Sequence, residues 1–331
     1  MKTNRTIKSH IAALALFSSF ILHPSSLLAQ GSLTPPGAPG PTMKTLAQIE
    51  PRTPISTAPF TISQPGSYYL TTNLTVSGTN AITIATNGVT LDLNGFTLAS
   101  TAPSASGYAI LINNGLSDLA IFNGHIRGGV TNTGSGTYNG PGFRNGIAGS
   151  VEAPDNTRIT GVSVSGCLEA GIDLGIGNAT VVESCMVRTV GYVGISATTI
   201  KSSVVQDCSS TAIYGSEVSD SHGESNIGVG VLAANAQNCY GSSSIGTGLS
   251  AYKTAQNCFG TTSSDIGLYA STAQNCYGYS TYNGGLVSHI AIGCSGYSSS
   301  GIGLTAYIAN SCSGVSSSGP AQSITYKYNM P

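Results

Sequence analysis

Gly267-Leu268-Tyr269-Ala270-Ser271-Thr272-Ala273-Gln274-Asn275-Cys276-Tyr277-Gly278 returns one register later as Gly285-Leu286 … Ala291-Ile292-Gly293-Cys294-Ser295-Gly296. It returns again as Gly303-Leu304 … Ala309-Asn310-Ser311-Cys312-Ser313-Gly314. The cysteine marks the period. It stands at Cys185, Cys239, Cys258, Cys276, Cys294 and Cys312, with steps of eighteen residues from Cys258 onward and one step of nineteen between Cys239 and Cys258. Cys185 and Cys239 are fifty-four residues apart, three periods, and Ser203 and Ser221 occupy the two positions between them. Three residues before each of these positions sits a small or apolar side chain: Val182, Ile200, Val218, Ala236, Ala255, Ala273, Ala291, Ala309.

A unit of eighteen residues cannot bury an apolar face alone and must stack on copies of itself, so the tail is a solenoid. Helical repeats need longer units and good helix formers, and this tail is Gly, Ser, Thr, Asn and Tyr. The calcium-binding nonapeptide β-helix needs Gly-Gly-x-Gly-x-Asp, and Gly284-Gly285 has no Asp after it. A left-handed hexapeptide helix wants an aliphatic residue every six positions, whereas the series from Leu268 runs Gln274, Ser280, Leu286. What remains is an all-β chain, a single parallel β-helix with C-terminal coils of eighteen residues, equivalent positions stacking about 4.8 Å apart.

The chain begins with Lys2, Arg5 and Lys8, an apolar run Ile11–Leu22, and Leu27-Leu28-Ala29, the three parts of an export signal (1–29) with cleavage after Ala29. The run is too short to span a bilayer comfortably, and His23-Pro24 close it. A secreted chain, extracellular or in the cell envelope and without a membrane span after cleavage, is expected. Removing the three leader cations leaves nine Lys and Arg against 13 acidic residues, a net charge of −4 with no basic patch, which argues against nucleic acid. Residues 30–59 form a Pro/Gly-rich lead, denied regular structure by Pro35 to Pro59 except at Met43–Glu50, an amphipathic turn expected to cap the open end of the solenoid (60–331).

From Phe60 the pattern alternates apolar and polar: Ser67-Tyr68-Tyr69-Leu70, Ala81-Ile82-Thr83-Ile84, then Val89 to Leu98. Leu119–Ile126 and Ile159–Val164 echo it. The run from Gln64 to Val76, QPGSYYLTTNLTV, followed by VTLDLNGFTL at 89–98, resembles the opening coils of secreted bacterial right-handed parallel β-helix proteins of the pectate-lyase-like superfamily. The lead ending in TMKTLAQIEPRTPI is similar to the leaders of such proteins. The resemblance covers roughly residues 31–174 and implies the handedness. It implies no one activity, since the fold hosts lyases, hydrolases, epimerases and non-enzymes.

Coils in 60–184 are longer and less regular than those in 185–322. Val164-Ser165-Gly166-Cys167 matches Val187-Arg188-Thr189-Val190 at a shift of twenty-three, which places Cys167, Val190 and Cys208 on a line separate from the other cysteines. The widest departure, 128–156, reads as a long loop, the usual place for function on a rigid scaffold. For the cysteines a column of buried thiols is the leading reading. Rung-to-rung disulfides and a metal site are the alternatives; stacked Cβ atoms stay near the rung spacing, wider than a disulfide prefers, and a line of thiols does not converge on an ion.

After Ser225, tyrosines and the cysteine column aside, the titratable set shrinks to Lys253, Asp265, His289 and Lys327, so any catalytic site belongs to the coils between Asp92 and Glu224. Pectinase-type hydrolases resemble this fold but carry Asn-Thr-Asp, Asp-Asp, Gly-His-Gly and Arg-Ile-Lys; here His125 stands in Gly-His-Ile, Arg158 in Arg-Ile-Thr, and no Asp-Asp exists. The candidate catalytic residues are His125, Arg127, Arg144 and Arg158, which could gather near the long loop, and Glu169 with Asp173, four apart, as a carboxylate pair. Candidate sugar-binding aromatics are Tyr138 and Phe143 on the loop and Tyr240, Phe259 and Tyr277, one residue after the cysteine; the alternative for the last three is that they pack on each other. Glu183 and Lys201, eighteen apart, are expected to pair, and Asn238, Asn257 and Asn275 to form an amide ladder. The charge-poor tail favours a non-catalytic protein that binds extracellular polysaccharide or a cell surface. A polysaccharide lyase or glycoside hydrolase, and a structural spacer, are the alternatives. No cofactor and no metal are implied, calcium entering only for a lyase, and a monomer is expected.

Overall fold

The computed structural model describes residues 50–134 and 136–330, so the leader and most of the expected cap lie outside the described residues. No helix occurs among the described residues. Apart from one two-stranded hairpin, the strands pair in parallel with their counterparts one coil later and wind into a right-handed parallel β-helix, the hand that nearly all parallel crossovers take.

In the tail a coil typically carries a seven-residue strand such as Leu268–Gln274 and a four-residue strand such as Tyr277–Ser280; the bulged Leu249–Gln256 has eight and Val204–Cys208 five. The corner between them is one residue in the left-handed region: Ser184, Ser202, Asp220, Asn238, Asn257, Asn275, Gly293, Ser311 and Asn329, with φ from 46° to 62°. Side chains that hydrogen-bond locally, or none at all, tolerate that conformation. Three of the corner asparagines also form the expected ladder: Asn257 Nδ2 donates to Asn238 Oδ1 at 3.2 Å and Asn275 Nδ2 to Asn257 Oδ1 at 3.4 Å.

Leu249, Leu268, Leu286 and Leu304 stack fully buried in the interior. Facing them, the second residue of each short strand is glycine. At Gly260 a Cβ would lie 2.1 Å from the Gly267 carbonyl oxygen, and at Gly278 2.1 Å from that of Gly285. The two sheets of the tail therefore meet at backbone distance. The irregular coils enclose a wider core of Ile, Leu and Val.

All eight cysteines are free and buried. The backbone N–H of Cys294 donates to Cys312 Sγ at 3.3 Å, and that of Cys185 to Ser203 Oγ at 3.2 Å. The thiol of Cys294 and the hydroxyl of Ser203 each donate back to the carbonyl two residues earlier, at 3.3 and 2.8 Å. Serine thus replaces cysteine at Ser203 and Ser221 without loss of a bond. The second line, Cys167–Val190–Cys208, continues as Ser225, Ser243, Thr262, Ser280 and Ser298 because the ladder slips by one residue between Val205 and Cys208. These hydroxyls bind turn carbonyls, for example Ser280 Oγ to Asp265 O at 2.6 Å.

Three boundaries differ from expectation, and the expected one-residue insertion takes a definite form. Pairing begins before Phe60, at Thr53–Ile55 on Tyr68–Leu70; Pro54 is accommodated because this strand is on the edge, where a missing donor costs least. The loop is shorter than 128–156: Asn145–Gly149 rejoins the ladder against Tyr108–Ile112, leaving an excursion whose arms, Thr131–Asn132 and Tyr138–Asn139, form an antiparallel hairpin. Regular pairing runs past 322, through Gln322–Tyr328. The nineteenth residue of the long period is a bulge in which Tyr252 and Lys253 face the single Ala234.

Candidate functional site

One outward face runs the length of the solenoid as two rows of side chains. Register places Thr97, His125, Ser163, Met186, Val204, His222, Tyr240, Phe259 and Tyr277 in the first row. The second row carries Arg127, Ser165, Arg188 and Gln206, and further down Tyr279 and Tyr297. Alternation along each strand sends these residues out and Ile126, Val164 and Val187 inward.

Between the rows lies an open groove of about 440 Å³ lined by Thr97, His125, Arg127, Ser163, Ser165 and Arg188. His125 Nδ1 sits 2.6 Å from Ser163 Oγ, which orients the ring. Arg127 and Arg188 are exposed and have no carboxylate partner among the described residues, and they stand two rungs apart, about 10 Å. The other described arginines are paired: Arg52 with Asp92 at 2.9 Å, Arg144 with Glu169 at 2.6 Å, Arg158 with Glu183 at 3.1 Å.

The structure therefore divides the sequence candidates. His125 and Arg127 share the groove. Arg144 and Arg158 do not join them and are held by carboxylates elsewhere; the hydrogen bond that Arg144 donates to Glu169 raises the Arg144 pKa further. Glu183 faces Lys201 in register yet bonds Arg158, whose longer fork reaches it diagonally. Glu169 and Asp173 do not converge on one groove: Asp173 accepts from Gly175 N–H at 3.2 Å and lines a separate depression of about 200 Å³ beside Glu152. No group of three or more His, Cys, Asp or Glu able to hold a metal occurs among the described residues.

The aromatic candidates divide as well. Phe143 is fully buried in the core and Tyr138 is 8% exposed, so neither offers a ring to a sugar. Tyr240, Phe259 and Tyr277 stack on one another, with centroids 5.3 and 5.1 Å apart, and His222 joins edge-on at 4.4 Å. The inner faces of the stack are spent on each other; Tyr277 ends it beside Ser295 and is 37% exposed.

Arg188 and the Tyr279–Tyr297 stack (5.3 Å) were not singled out from the sequence. The twenty-three-residue match that aligns Ser165 with Arg188 held the signal for Arg188. A further cluster lies where the hairpin docks. Asp207, bulged with φ 57°, accepts from Asn132 Nδ2 (2.7 Å), Tyr138 Oη (2.7 Å), Asn226 Nδ2 (2.9 Å) and Thr189 Oγ1 (3.0 Å). Burial pushes the Asp207 carboxyl up, but these donors outweigh it and hold the pKa below its ordinary value. Burial, and the bond to Asp207, raise that of Tyr138.

The chain is thus a right-handed parallel β-helix with a cationic groove on one face. No family model matches it, and no curated protein does. Among solved structures it is similar to the A-module of the mannuronan C-5 epimerase AlgE4 of Azotobacter vinelandii, at 10% identity over 80% of this chain and 90% of that one, with a TM-score of 0.43.

Proposed function

We propose that this chain is an exported protein that binds an acidic polysaccharide, or a cell surface bearing one, along the face carrying His125, Arg127 and Arg188. The observation that carries this reading is the pair of unpaired guanidinium groups: three other arginines find carboxylates, and these two face an open groove with none. Planar forks about two rungs apart suit carboxylates or sulfates repeating along a polymer. The hydroxyls of Thr97, Ser163 and Ser165 supply neutral contacts between them. Export rests on the leader pattern alone.

A second reading, a polysaccharide lyase, is favoured by one feature. His125 is oriented by Ser163 beside two cations, and removal of a proton next to a carboxylate needs a base and a neutralising charge. The hydrolase alternative has less support, since Glu169 is bonded to Arg144 and Asp173 lies apart.

The test is a panel of plant and algal polysaccharides offered to the purified protein with and without calcium. Retention, unsaturated products and reducing ends are measured together. Binding predicts salt-sensitive retention of acidic members without products. Unsaturated products establish the lyase, and neither retention nor products leaves a structural spacer and refutes both readings.

A further inference from the structure

A second groove of about 620 Å³ runs along the neighbouring face, around the asparagine corner. One wall is Thr199, Glu217, Asn235 and Thr254, in register. The other is Lys201, Ser219, Gln237 and Gln256, two residues further along the same strands, and Gln274 extends it.

The two walls differ in what their polar groups do. Along the first, Asn235 Nδ2 donates to Glu217 Oε1 at 2.8 Å, a bond that runs with the wall and leaves the space between the walls open. Along the second, the amides of Gln237, Gln256 and Gln274 have no hydrogen-bond partner among the described residues. The asparagine corner next to them behaves in the opposite way, its amides bonding each other from coil to coil. Three glutamines at one-coil intervals thus keep both donors and acceptors free along one edge.

The groove is bounded. Upstream, Arg158, in line with the first wall, reaches Glu183, in line with the second, and their ion pair crosses the channel. Downstream, Thr272 and Gln274 give way to Ile290 and Ile292. The polar stretch between spans four rung steps, about 19 Å. Its formal charge is balanced, Lys201 against Glu217, in contrast to the cationic groove of Arg127 and Arg188.

We propose that this groove is a second glycan site, which takes a neutral, polyhydroxylated oligosaccharide, its hydroxyls meeting the glutamine amides along one wall and the threonine and asparagine groups along the other. An amide both donates and accepts, as a sugar hydroxyl does. The site stands independently of the acidic-polysaccharide reading.

The test is calorimetry of the full chain against hexasaccharides of β-glucan, mannan and xylan, with an acidic oligogalacturonate alongside. At least one neutral hexasaccharide binds, and Gln237→Leu/Gln256→Leu weakens it about tenfold or more. Ser219→Trp, which fills the groove by bulk, abolishes it, so that either variant carries the test if the other does not fold. Arg127→Ala/Arg188→Ala leaves it unchanged. The proposal is overturned if no neutral member binds, if binding survives Ser219→Trp, or if it falls equally with the arginine variant. Retention of the acidic oligomer reports on the first groove alone, so the two readings fail separately.

Discussion

Asp207→Ala should release the hairpin without unfolding the solenoid. Four donors converge on this carboxylate, from both hairpin arms (Asn132, Tyr138) and from two coils (Thr189, Asn226). A hydrogen bond to a charged acceptor contributes about 1.5–3 kcal/mol when buried, but Asp207 is part-exposed, so about 1 kcal/mol apiece is the fitting scale. Only the bonds from Asn132 and Tyr138 hold the hairpin; those from Thr189 and Asn226 tie coil to coil, and Tyr138 Oη keeps Asn226 Nδ2 at 2.6 Å after the substitution. The docking loss is about 2 kcal/mol, a rise of roughly thirtyfold in the open population of the hairpin. Amide exchange at 131–139 and cleavage of the tip at 133–137 should accelerate by that order, with the melting temperature nearly unchanged because the ladder beneath keeps its register. The pH dependence has a definite sign. A carboxyl held below its ordinary value contributes stability that is fully present above the unfolded pKa, about 3.9, and is lost as pH falls through the lower folded value. The hairpin of the native protein should therefore stay docked at neutral pH and open only in acid, below about pH 4. Unchanged exchange at 131–139 in the variant would refute the account of Asp207 as the anchor.

Gly260→Ala should destabilise by about 3 kcal/mol or more, because its Cβ meets the Gly267 carbonyl at 2.1 Å, backbone against backbone, while Gly177→Ala, with open space but φ 104°, should cost only the local strain of about 1–2 kcal/mol; equal denaturation midpoints would contradict this. Cys294→Ser should be nearly neutral, since Ser203 already makes the same two bonds, whereas Cys294→Val strands the buried N–H of Cys276 and should cost about 1–3 kcal/mol by chemical denaturation. Thiol titration of the native protein should be slow and that of the denatured protein complete at eight, because burial pushes Cys167 and Cys208 up to about 12. Arg127→Ala and Arg188→Ala should each weaken retention on acidic polysaccharide about tenfold, flatten its salt dependence, and leave the melting curve alone.

The periodic cysteine disclosed the tail because a solenoid writes each three-dimensional neighbour at a constant sequence offset; Cys276 and Cys294 are in contact because they are eighteen apart. A different signal, the scarcity of titratable residues after Ser225, confined the candidates His125 and Arg127 to the irregular coils. The periodicity fails as a guide wherever an offset changes. The slip at Asp207 turns a cysteine line into a serine line, and only coordinates reveal that Ser225 follows Cys208. The docking of Tyr138 on Asp207 joins positions 69 residues apart through a loop that has no repeat at all. The choice of Arg158 over Lys201 by Glu183 depends on side-chain reach, which register leaves undetermined.

The rung spacing also governs composition. Every outward side chain has its counterpart directly above and below, so a charge repeated at one position would face its own sign at about 4.8 Å, a repulsion of about 0.9 kcal/mol even in water and more near the protein surface. An ordinary globular surface spreads such charges apart; a stacked coil cannot. Only 8% of the residues are charged, and the tail answers with hydroxyls, amides and rings, groups that attract or tolerate their own kind. Where two cations share a line, at Arg127 and Arg188, Ser165 is interposed, and the separation reaches about 10 Å, one screening length at ordinary salt. A polyanion laid along that line would lift the constraint, supplying the counter-charge that the solenoid's own geometry keeps out.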